Sequence, residues 1–388
     1  MMTVSELPWV PLLVPDMPSP QELLPWLEHM HAVRHYSNFG PLVKELEMVF
    51  AQQFALDPEQ LTTVANATLG LELVLQALDL PAGSRILLPA LTFVATATAV
   101  VRAGHQPVLA DVNERTWLLT PEIAYAACER MRLDAVLPVA TFGMPHDMRD
   151  WQRFEQQTGI PVVIDAAAAY GSQWLQGAEG TLVFSMHTTK SLPAGEGGLV
   201  ISTRPDLAAK VRQLSNFGIN LDPAASMPVG ALGSLGSNAK MSEYHAAIAL
   251  ASLQKWESHA QERRTLYANL MHEMDQVGWH KLTWQAQGPG GPLIAPTVLC
   301  VQLPDAAGRA ALEQACQQAR IMTRRWYQPL LQHMEVLQQR CLSLDTPNSQ
   351  TLAQTLLGLP FFWGMQAAPR QRVLDVLKQV LSKHTYEL

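Results

Sequence analysis

The stretch Phe184-Ser185-Met186-His187-Thr188-Thr189-Lys190-Ser191-Leu192-Pro193-Ala194-Gly195-Glu196-Gly197-Gly198 carries more information about the fold than any other part of the chain. The short apolar segment Thr181–Phe184 predicts a strand that runs into a Ser/His/Thr turn, one lysine and a glycine-rich hairpin. A lysine at a strand end can form a Schiff base with an aldehyde if partial desolvation and nearby positive charge lower its pKa. A single loop lysine is more often simply exposed, so the role of Lys190 depends on other segments.

Length and composition are typical of a compact globular enzyme. The chain has 388 residues, of which 48% are hydrophobic and 16% charged, and a net charge of −7. No Lys/Arg stripe is present, so we expect no nucleic-acid partner. No apolar run reaches membrane-spanning length and the start lacks a basic segment, so we expect neither a membrane partner nor a secretory signal. Four widely spaced cysteines fit a reducing cytoplasm, and the absence of HExxH predicts no metal.

From residue 61 onward, continuous apolar segments alternate with amphipathic ones. This pattern predicts an α/β fold in which helices sandwich a mostly parallel seven-stranded sheet, with binding residues at the carboxyl ends of the strands. We assign residues 1–278 to an N-terminal arm and this large domain, and residues 279–388 to a small C-terminal α+β domain that includes a strand near 321–325. The strands predicted for the large domain are Leu61–Ala65, Arg85–Leu88, Gln106–Ala110, Ala135–Val139, Val162–Asp165, Thr181–Phe184 and Gly198–Ser202.

Asp165 ends one of these strands and is followed by four alanines. An unpaired carboxylate at a buried strand end is costly. The protonated ring nitrogen of pyridoxal phosphate (PLP) would be a suitable partner, and its charge makes the ring an electron sink. Capping of the next turn explains Asp165 equally well when the residue is considered alone. The position of Lys190 one strand further along favours the cofactor.

Two turns at strand ends are candidates for holding a phosphate and a ring. Ala67 and Thr68 open a predicted helix after the first strand, where free amides and the helix dipole suit a phosphate, although a plain N-cap is the simpler interpretation. Ser185 is a second phosphate candidate. Phe93 could stack on one face of a pyridine ring, and the small Ala167 would allow close approach on the other. A core role for Phe93 is the alternative.

Together these segments resemble the DegT/StrS family of PLP-dependent sugar aminotransferases of fold type I. The resemblance covers nearly the whole chain in the right order. The segments that carry it are Asn38-Phe39-Gly40-Pro41, Asn66-Ala67-Thr68, Thr92-Phe93-Val94-Ala95-Thr96, Asp165-Ala166-Ala167-Ala168-Ala169-Tyr170-Gly171, Ser185…Lys190…Gly195-Glu196-Gly197-Gly198, Asn238-Ala239-Lys240-Met241-Ser242-Glu243 and Arg325-Trp326-Tyr327-Gln328-Pro329-Leu330.

The resemblance implies specific roles. Lys190 would be the Schiff-base lysine and Asp165 the partner of the ring nitrogen. Asn238 would reach the phosphate bound by a neighbouring subunit, so a homodimer with shared active sites is expected. The other implied cofactor residues are Ala67, Thr68, Phe93, Ala167 and Ser185, and the implied substrate residues are Tyr36, Asn38, Phe39, Lys240, Arg325 and Tyr327.

Two positions depart from the family pattern. The family usually has Gln or His where Ala168 stands, and that side chain commonly contacts the 3-oxygen of the cofactor. Alanine cannot make this hydrogen bond, so water or another side chain replaces it, or the chemistry is tuned differently. The family also usually has glycine at the position of Ala67. Members with histidine in place of the lysine act as dehydratases, and Lys190 argues against that reaction.

Three functions are compatible with these residues. The first is transfer of an amino group, usually from glutamate, to a nucleotide-linked keto-deoxy sugar. The second keeps PLP but changes the substrate to a non-sugar ketone or aldehyde, and the third is a non-catalytic PLP-binding regulator. A nucleotide diphosphate needs cationic partners, for which the candidates are Arg34, Lys240, Arg324 and Arg325.

Overall fold

A computed structural model describes residues 8–276, 282–288, 291 and 295–383 of the chain. The strands are β1 (Leu61–Val64), β2 (Arg85–Pro89), β3 (Gln106–Ala110), β4 (Ala135–Val136), β5 (Val163–Asp165), β6 (Thr181–Ser185), β7 (Gly198–Ser202), β8 (Thr283–Trp284), β9 (Leu299–Gln302), β10 (Leu342–Ser343) and β11 (Leu356–Leu359). The helices are α1 (Pro20–Val33), α2 (Pro41–Phe54), α3 (Ala67–Ala77), α4 (Val94–Arg102), α5 (Pro121–Arg130), α6 (Met148–Thr158), α7 (Pro205–Ser215), α8 (Glu243–Gln276), α9 (Ala306–Gln318), α10 (Glu335–Gln338), α11 (Pro347–Thr355) and α12 (Ala367–Lys383).

The first seven strands form one central sheet in the order β1-β7-β6-β5-β4-β2-β3. Single parallel bridges, Val136 to Val162 and Val139 to Asp165, join β4 to β5. Only β7 runs antiparallel to its neighbours, so the prediction of a mostly parallel seven-stranded sheet is confirmed. The short β10, which the sequence pattern did not predict, adds an eighth strand beside β3.

Helices cover both faces of this sheet because every strand alternates its side chains between two cores. In β6, Leu182 and Phe184 point into the core that α2, α5, α6 and the start of α8 complete. Val183, between them, points into the opposite core with α3, α4 and α7. Both faces are therefore buried, as the continuous apolar strands predicted.

The C-terminal part builds its own sheet and core. The strands β11, β9 and β8 pair antiparallel and pack with α9, α12 and the last turns of α8. The strand predicted near residues 321–325 is wrong, because Ile321 and Arg324 make only single bridges, to Val10 and Gly358. The domain boundary at residue 278 stays a prediction, since residues 277–281 lie outside the described part.

The longest helix, α8, connects the two cores. It has 34 residues without Gly or Pro, which permits an uninterrupted helix, and Ser242 caps its start by accepting a hydrogen bond from the amide of His245. Ala246 and Leu250 pack in the core of the large sheet, whereas Leu270 and Met274 pack in the C-terminal core. Among the described residues, no helix combines the length and apolar character needed to cross a membrane.

Candidate active site

The strand register brings the phosphate candidates to one edge of the sheet. Val64, at the end of β1, pairs with Gly198, and Gly198 pairs with Ser185, at the end of β6. The turn after β1 is seated directly on β7, because a Cβ built on Gly198 would lie 2.8 Å from the amide nitrogen of Ala67. The amino end of α3 and the hydroxyl of Ser185 therefore lie side by side.

These groups have the donor capacity that a phosphate requires. Asn66 caps α3, since its Oδ1 accepts a hydrogen bond of 2.9 Å from the amide of Leu69. The amides of Ala67 and Thr68 have no partner among the described residues, and Ser185 Oγ accepts from the amide of His187 at 3.2 Å, which leaves its O–H to donate. The N-cap interpretation is thus correct for Asn66 and leaves room for phosphate binding.

Asp165 is a buried carboxylate at the end of β5 and is 4% exposed. Its Oδ2 accepts a 2.8 Å hydrogen bond from Thr96 Oγ1, and its Oδ1 accepts one of 3.1 Å from the amide of Ala167. Burial raises the pKa of Asp165, which the two hydrogen bonds and the charge of Lys190 oppose. No salt bridge to Asp165 is present in the described part of the chain, so the carboxylate is available to a charged ring nitrogen.

Lys190 lies in the loop between β6 and β7, where its amide donates to the carbonyl of His187 at 2.9 Å. Burial lowers the pKa of its ammonium, and the nearby charge of Asp165 opposes this fall. We expected a neighbouring cation to contribute, but desolvation is the cause that lowers the pKa. A lowered pKa increases the fraction of neutral amine, which is the nucleophilic form.

An aromatic cluster lies beside Asp165. Phe93 is 50% exposed and its ring centroid is 6.4 Å from that of Tyr327, which stacks on Phe142 at 5.6 Å with an interplanar angle of 12°. Burial raises the pKa of Tyr327, the charge of Asp165 adds to the rise, and the charge of Arg324 opposes it. The Tyr327 hydroxyl is therefore within electrostatic reach of Asp165 and Arg324.

Sequence reasoning did not single out two members of this arrangement. Thr96 lies in the same segment as Phe93, in the first turn of α4. This position near the site was the sequence signal that could have identified it. Phe142 follows the shortened strand β4, in a turn where its φ is 57°. No periodic pattern marks such a turn residue, so Phe142 carried no signal.

The N-terminal substrate candidates lie in the turn between α1 and α2. Tyr36 is exposed and stacks on Tyr244 with ring centroids 6.2 Å apart. Asn38 is exposed with a φ of 60°, a conformation that asparagine tolerates. Phe39 is buried in the core beneath the guanidinium of Arg212, 4.7 Å from the ring centroid.

The remaining candidates already have polar partners. Lys240 Nζ donates a 2.8 Å hydrogen bond to Asn238 Oδ1, so the amide nitrogen of Asn238 points elsewhere. Arg325 forms a salt bridge of 2.7 Å with Glu313. In contrast, Arg324 is exposed, and its only described side-chain partner is the ring of Trp326, 4.5 Å away.

A model of the DegT/DnrJ/EryC1/StrS aminotransferase family matches residues 21–378. The chain belongs to this family. It is a PLP-dependent aminotransferase, which confirms the predicted fold class, cofactor and enzyme type and counts against a non-catalytic regulator. The donors at the sheet edge and the pair of Lys190 and Asp165 fit the phosphate, aldehyde and ring nitrogen of that cofactor.

Solved structures of similar fold support this assignment. DesI, solved in the presence of its TDP-sugar product, is 28% identical, with a TM-score of 0.84 over 97% of this chain and 95% of its own. A provisionally assigned PLP-dependent aminotransferase from Bacillus cereus ATCC 10987 is 25% identical, with a TM-score of 0.85 over 95% and 99%. NtdA from Bacillus subtilis, solved with bound PMP, is 20% identical, with a TM-score of 0.85 over 98% and 86%, and so shares the fold.

Proposed function

We propose that Lys190 binds PLP covalently and that Asp165 holds the ring nitrogen in its charged form. The observation that carries this proposal is that Asp165 is buried and Lys190 half-buried at the same sheet edge, and that neither forms a salt bridge with any described residue. When bound, PLP supplies an aldehyde carbon and an electron-withdrawing ring. Lys190, once displaced by a donor amine, takes the proton from the donor α-carbon, a step that its lowered pKa favours.

The cofactor phosphate would be held by the amides of Ala67 and Thr68 and by the hydroxyl of Ser185. Phe93 would stack on one face of the ring, while Ala167 leaves space at the other. Ala168, with its methyl side chain, cannot hydrogen-bond the 3-oxygen, so we expect water to bind there.

We also propose that the enzyme is a homodimer and that Asn238 of the partner subunit binds the phosphate. The loop of residues 220–237 exposes four large apolar side chains, which a second copy would cover. These are Leu221, Val229, Leu232 and Leu235. Asn238 directly follows this loop and is itself exposed. A cytoplasmic location stays a prediction.

The substrate we favour is a nucleotide-linked keto-deoxy sugar, with glutamate as amino donor. DesI, the 28% identical protein, was solved with a TDP-sugar product. The exposed cation of Arg324, beside the cluster of Phe93, Phe142 and Tyr327, can bind a diphosphate next to aromatic surfaces. Glutamate rests on the family resemblance alone.

A non-sugar ketone or aldehyde is the second candidate. It is favoured by the polar partners that Lys240 and Arg325 already have, because these contacts leave fewer cations for a diphosphate. The departure at Ala168 also fits a changed substrate.

The decisive experiment follows the visible absorbance of lysine-bound PLP. We expect purified enzyme to show it, Lys190→Ala to lack it, and the exposed-lysine control Lys44→Ala to retain it. Glutamate should convert the bound cofactor to its amine form, and a panel of nucleotide-keto-sugars and simple ketones should then reverse that change. Covalent attachment in Lys190→Ala would overturn the proposal, and reversal only by simple ketones would select the second candidate.

A further inference from the structure

Two side chains of α8 donate hydrogen bonds to Ser191, the residue that follows Lys190. Arg263 Nη2 lies 3.3 Å from the carbonyl oxygen of Ser191 and 3.4 Å from its Oγ, and donates to both. Trp256 Nε1 donates to the same Oγ at 3.2 Å. Trp256 and Arg263 are seven residues apart, about two helical turns, and so share one face of α8. Through Ser191, the long helix fixes the backbone of the lysine loop.

Arg263 is in turn held by the N-terminal arm. Its Nη1 donates to Asp16 Oδ2 at 3.2 Å, and His259, one turn earlier on α8, lies 2.9 Å from the same oxygen. The ring of Trp363 stacks on His259 with centroids 4.0 Å apart. The chain of contacts therefore runs from the arm through Asp16 and Arg263 to Ser191. We call these three residues the arm clamp.

The arm clamp contains a buried charge, the guanidinium of Arg263. Arg263 is 4% exposed, its Nε has no partner among the described residues, and burial lowers the pKa of its guanidinium. Burying an incompletely paired cation is costly. A cavity of about 30 Å³, lined in part by Asp16, Thr188, Lys190 and Arg263, separates the arm from the loop. On this side, the hydrogen bonds of Arg263 and Trp256 to Ser191 connect the loop to α8.

We propose that Arg263 is a positioning residue for Lys190. It acts through Ser191 and keeps the lysine amine desolvated and directed toward the cofactor aldehyde. The inference rests on the proposed role of Lys190. In attachment, the Lys190 nitrogen would form a C=N bond to the aldehyde carbon, and the aldehyde oxygen would leave as water with the two hydrogens of the amine. A small displacement of the amine slows such a step strongly.

The test compares Arg263→Gln and Arg263→Lys with the control Arg264→Gln, the exposed next residue of the same helix. Each variant is purified as holoenzyme, stripped of PLP and mixed with fresh PLP, and the attachment rate is followed by absorbance across a pH series. We expect Arg263→Gln to attach PLP about tenfold more slowly. The midpoint of its pH–rate profile should move to higher pH, because a looser loop hydrates the amine and raises its pKa.

A purely structural role would lower the melting temperature without moving this midpoint. Arg263→Lys should recover part of the rate, since it keeps the charge, and Arg264→Gln should match the wild type. If Arg263→Gln does not fold, Ser191→Ala and Asp16→Asn, which change one side chain at each end of the arm clamp and keep Arg263, decide by the same midpoint. Wild-type rate and midpoint in the folded variants would overturn the inference. Attachment that persists in Lys190→Ala would instead show that the proposed function had failed.

Discussion

The hydroxyl of Thr96 and the carboxylate of Asp165 are joined by a 2.8 Å hydrogen bond that links the start of α4 to the end of β5. Thr92 extends this contact, since its Oγ1 lies 3.1 Å from that of Thr96. The bond favours the ionised carboxylate and opposes the effect of burial on its pKa. Thr96 therefore helps to keep Asp165 negative, as its proposed contact with a charged ring nitrogen requires.

Replacing Thr96 by Val should raise the pKa of Asp165 further, because the variant loses a hydrogen bond that favours the ionised carboxylate. We therefore expect the acid limb of the glutamate half-reaction to move to higher pH. Thr98→Val is the matched control, since Thr98 donates only to the carbonyl of Ala95 in the same helix. Superimposable acid limbs for the Thr96 variant and the wild type would contradict this role.

Gly198→Ala should weaken PLP binding by displacing the phosphate turn. The added Cβ would lie 2.7 Å from the carbonyl carbon of Asn66 and 2.8 Å from the amide nitrogen of Ala67. These are backbone atoms, so relieving the overlap requires the turn itself to move. We expect a loss of about 1–3 kcal/mol in stability and a larger Kd for PLP in a fluorescence titration.

The neighbouring Gly197→Ala provides the control for this substitution. Its Cβ would meet the flexible methyl of Met241 at 2.7 Å, which can move aside, and the Cβ of Met186 at 3.2 Å, which needs only a small shift. We expect this variant to retain PLP affinity. If Gly198→Ala folds and binds PLP as tightly as Gly197→Ala does, the turn is not seated on β7 in the way described.

Arg324→Ala should raise the KM for a nucleotide-linked substrate about tenfold or more, because a charge-assisted contact to phosphate contributes roughly 1.5–3 kcal/mol. Arg325→Ala is a close control, since its guanidinium is held by Glu313. The kinetics with glutamate should be unchanged in both variants. A larger effect from Arg325 than from Arg324 would reverse this assignment.

His146 should make stability depend on pH below neutrality. Its ring is buried, donates from Nε2 to the Val139 carbonyl at 2.9 Å and accepts from Trp151 Nε1 at 3.2 Å, and burial lowers its pKa from 6.5 to about 4. The unfolded chain takes up this proton near pH 6.5 and the folded chain only near pH 4. Stability therefore rises with pH between these values, by up to about 3 kcal/mol.

Urea unfolding at several pH values checks this dependence. His146→Gln should show a shallower slope between pH 4 and 6.5 than the wild type. His29→Gln, at an exposed position, should leave the slope as it is. Equal slopes in all three proteins would exclude His146 as the source of the pH dependence of stability.

Local sequence patterns were sufficient to predict much of the fold and the central residues of the site. The strands predicted at Gln106–Ala110 and Gly198–Ser202 have those bounds. Asp165 and Lys190 could be selected because the first ends an apolar strand and the second follows one. Contacts between segments that are far apart in the sequence leave no local pattern and could not be predicted. Residues 321–325 read as a strand, yet Ile321 finds its partner at Val10, more than three hundred positions earlier. The contact of Arg263 with Ser191 spans 72 residues and was equally invisible.

The antiparallel strand β7 has a consequence for cofactor selectivity. The connection between β6 and β7 carries Lys190, and Gly198, where β7 begins, supports the turn that opens α3. A single hairpin thus sets the spacing between the amine and the phosphate donors. If Lys190 and the α3 turn hold the two ends of the cofactor as proposed, we expect this fixed spacing to favour an aldehyde with its phosphate at one distance over longer or shorter aldehydes.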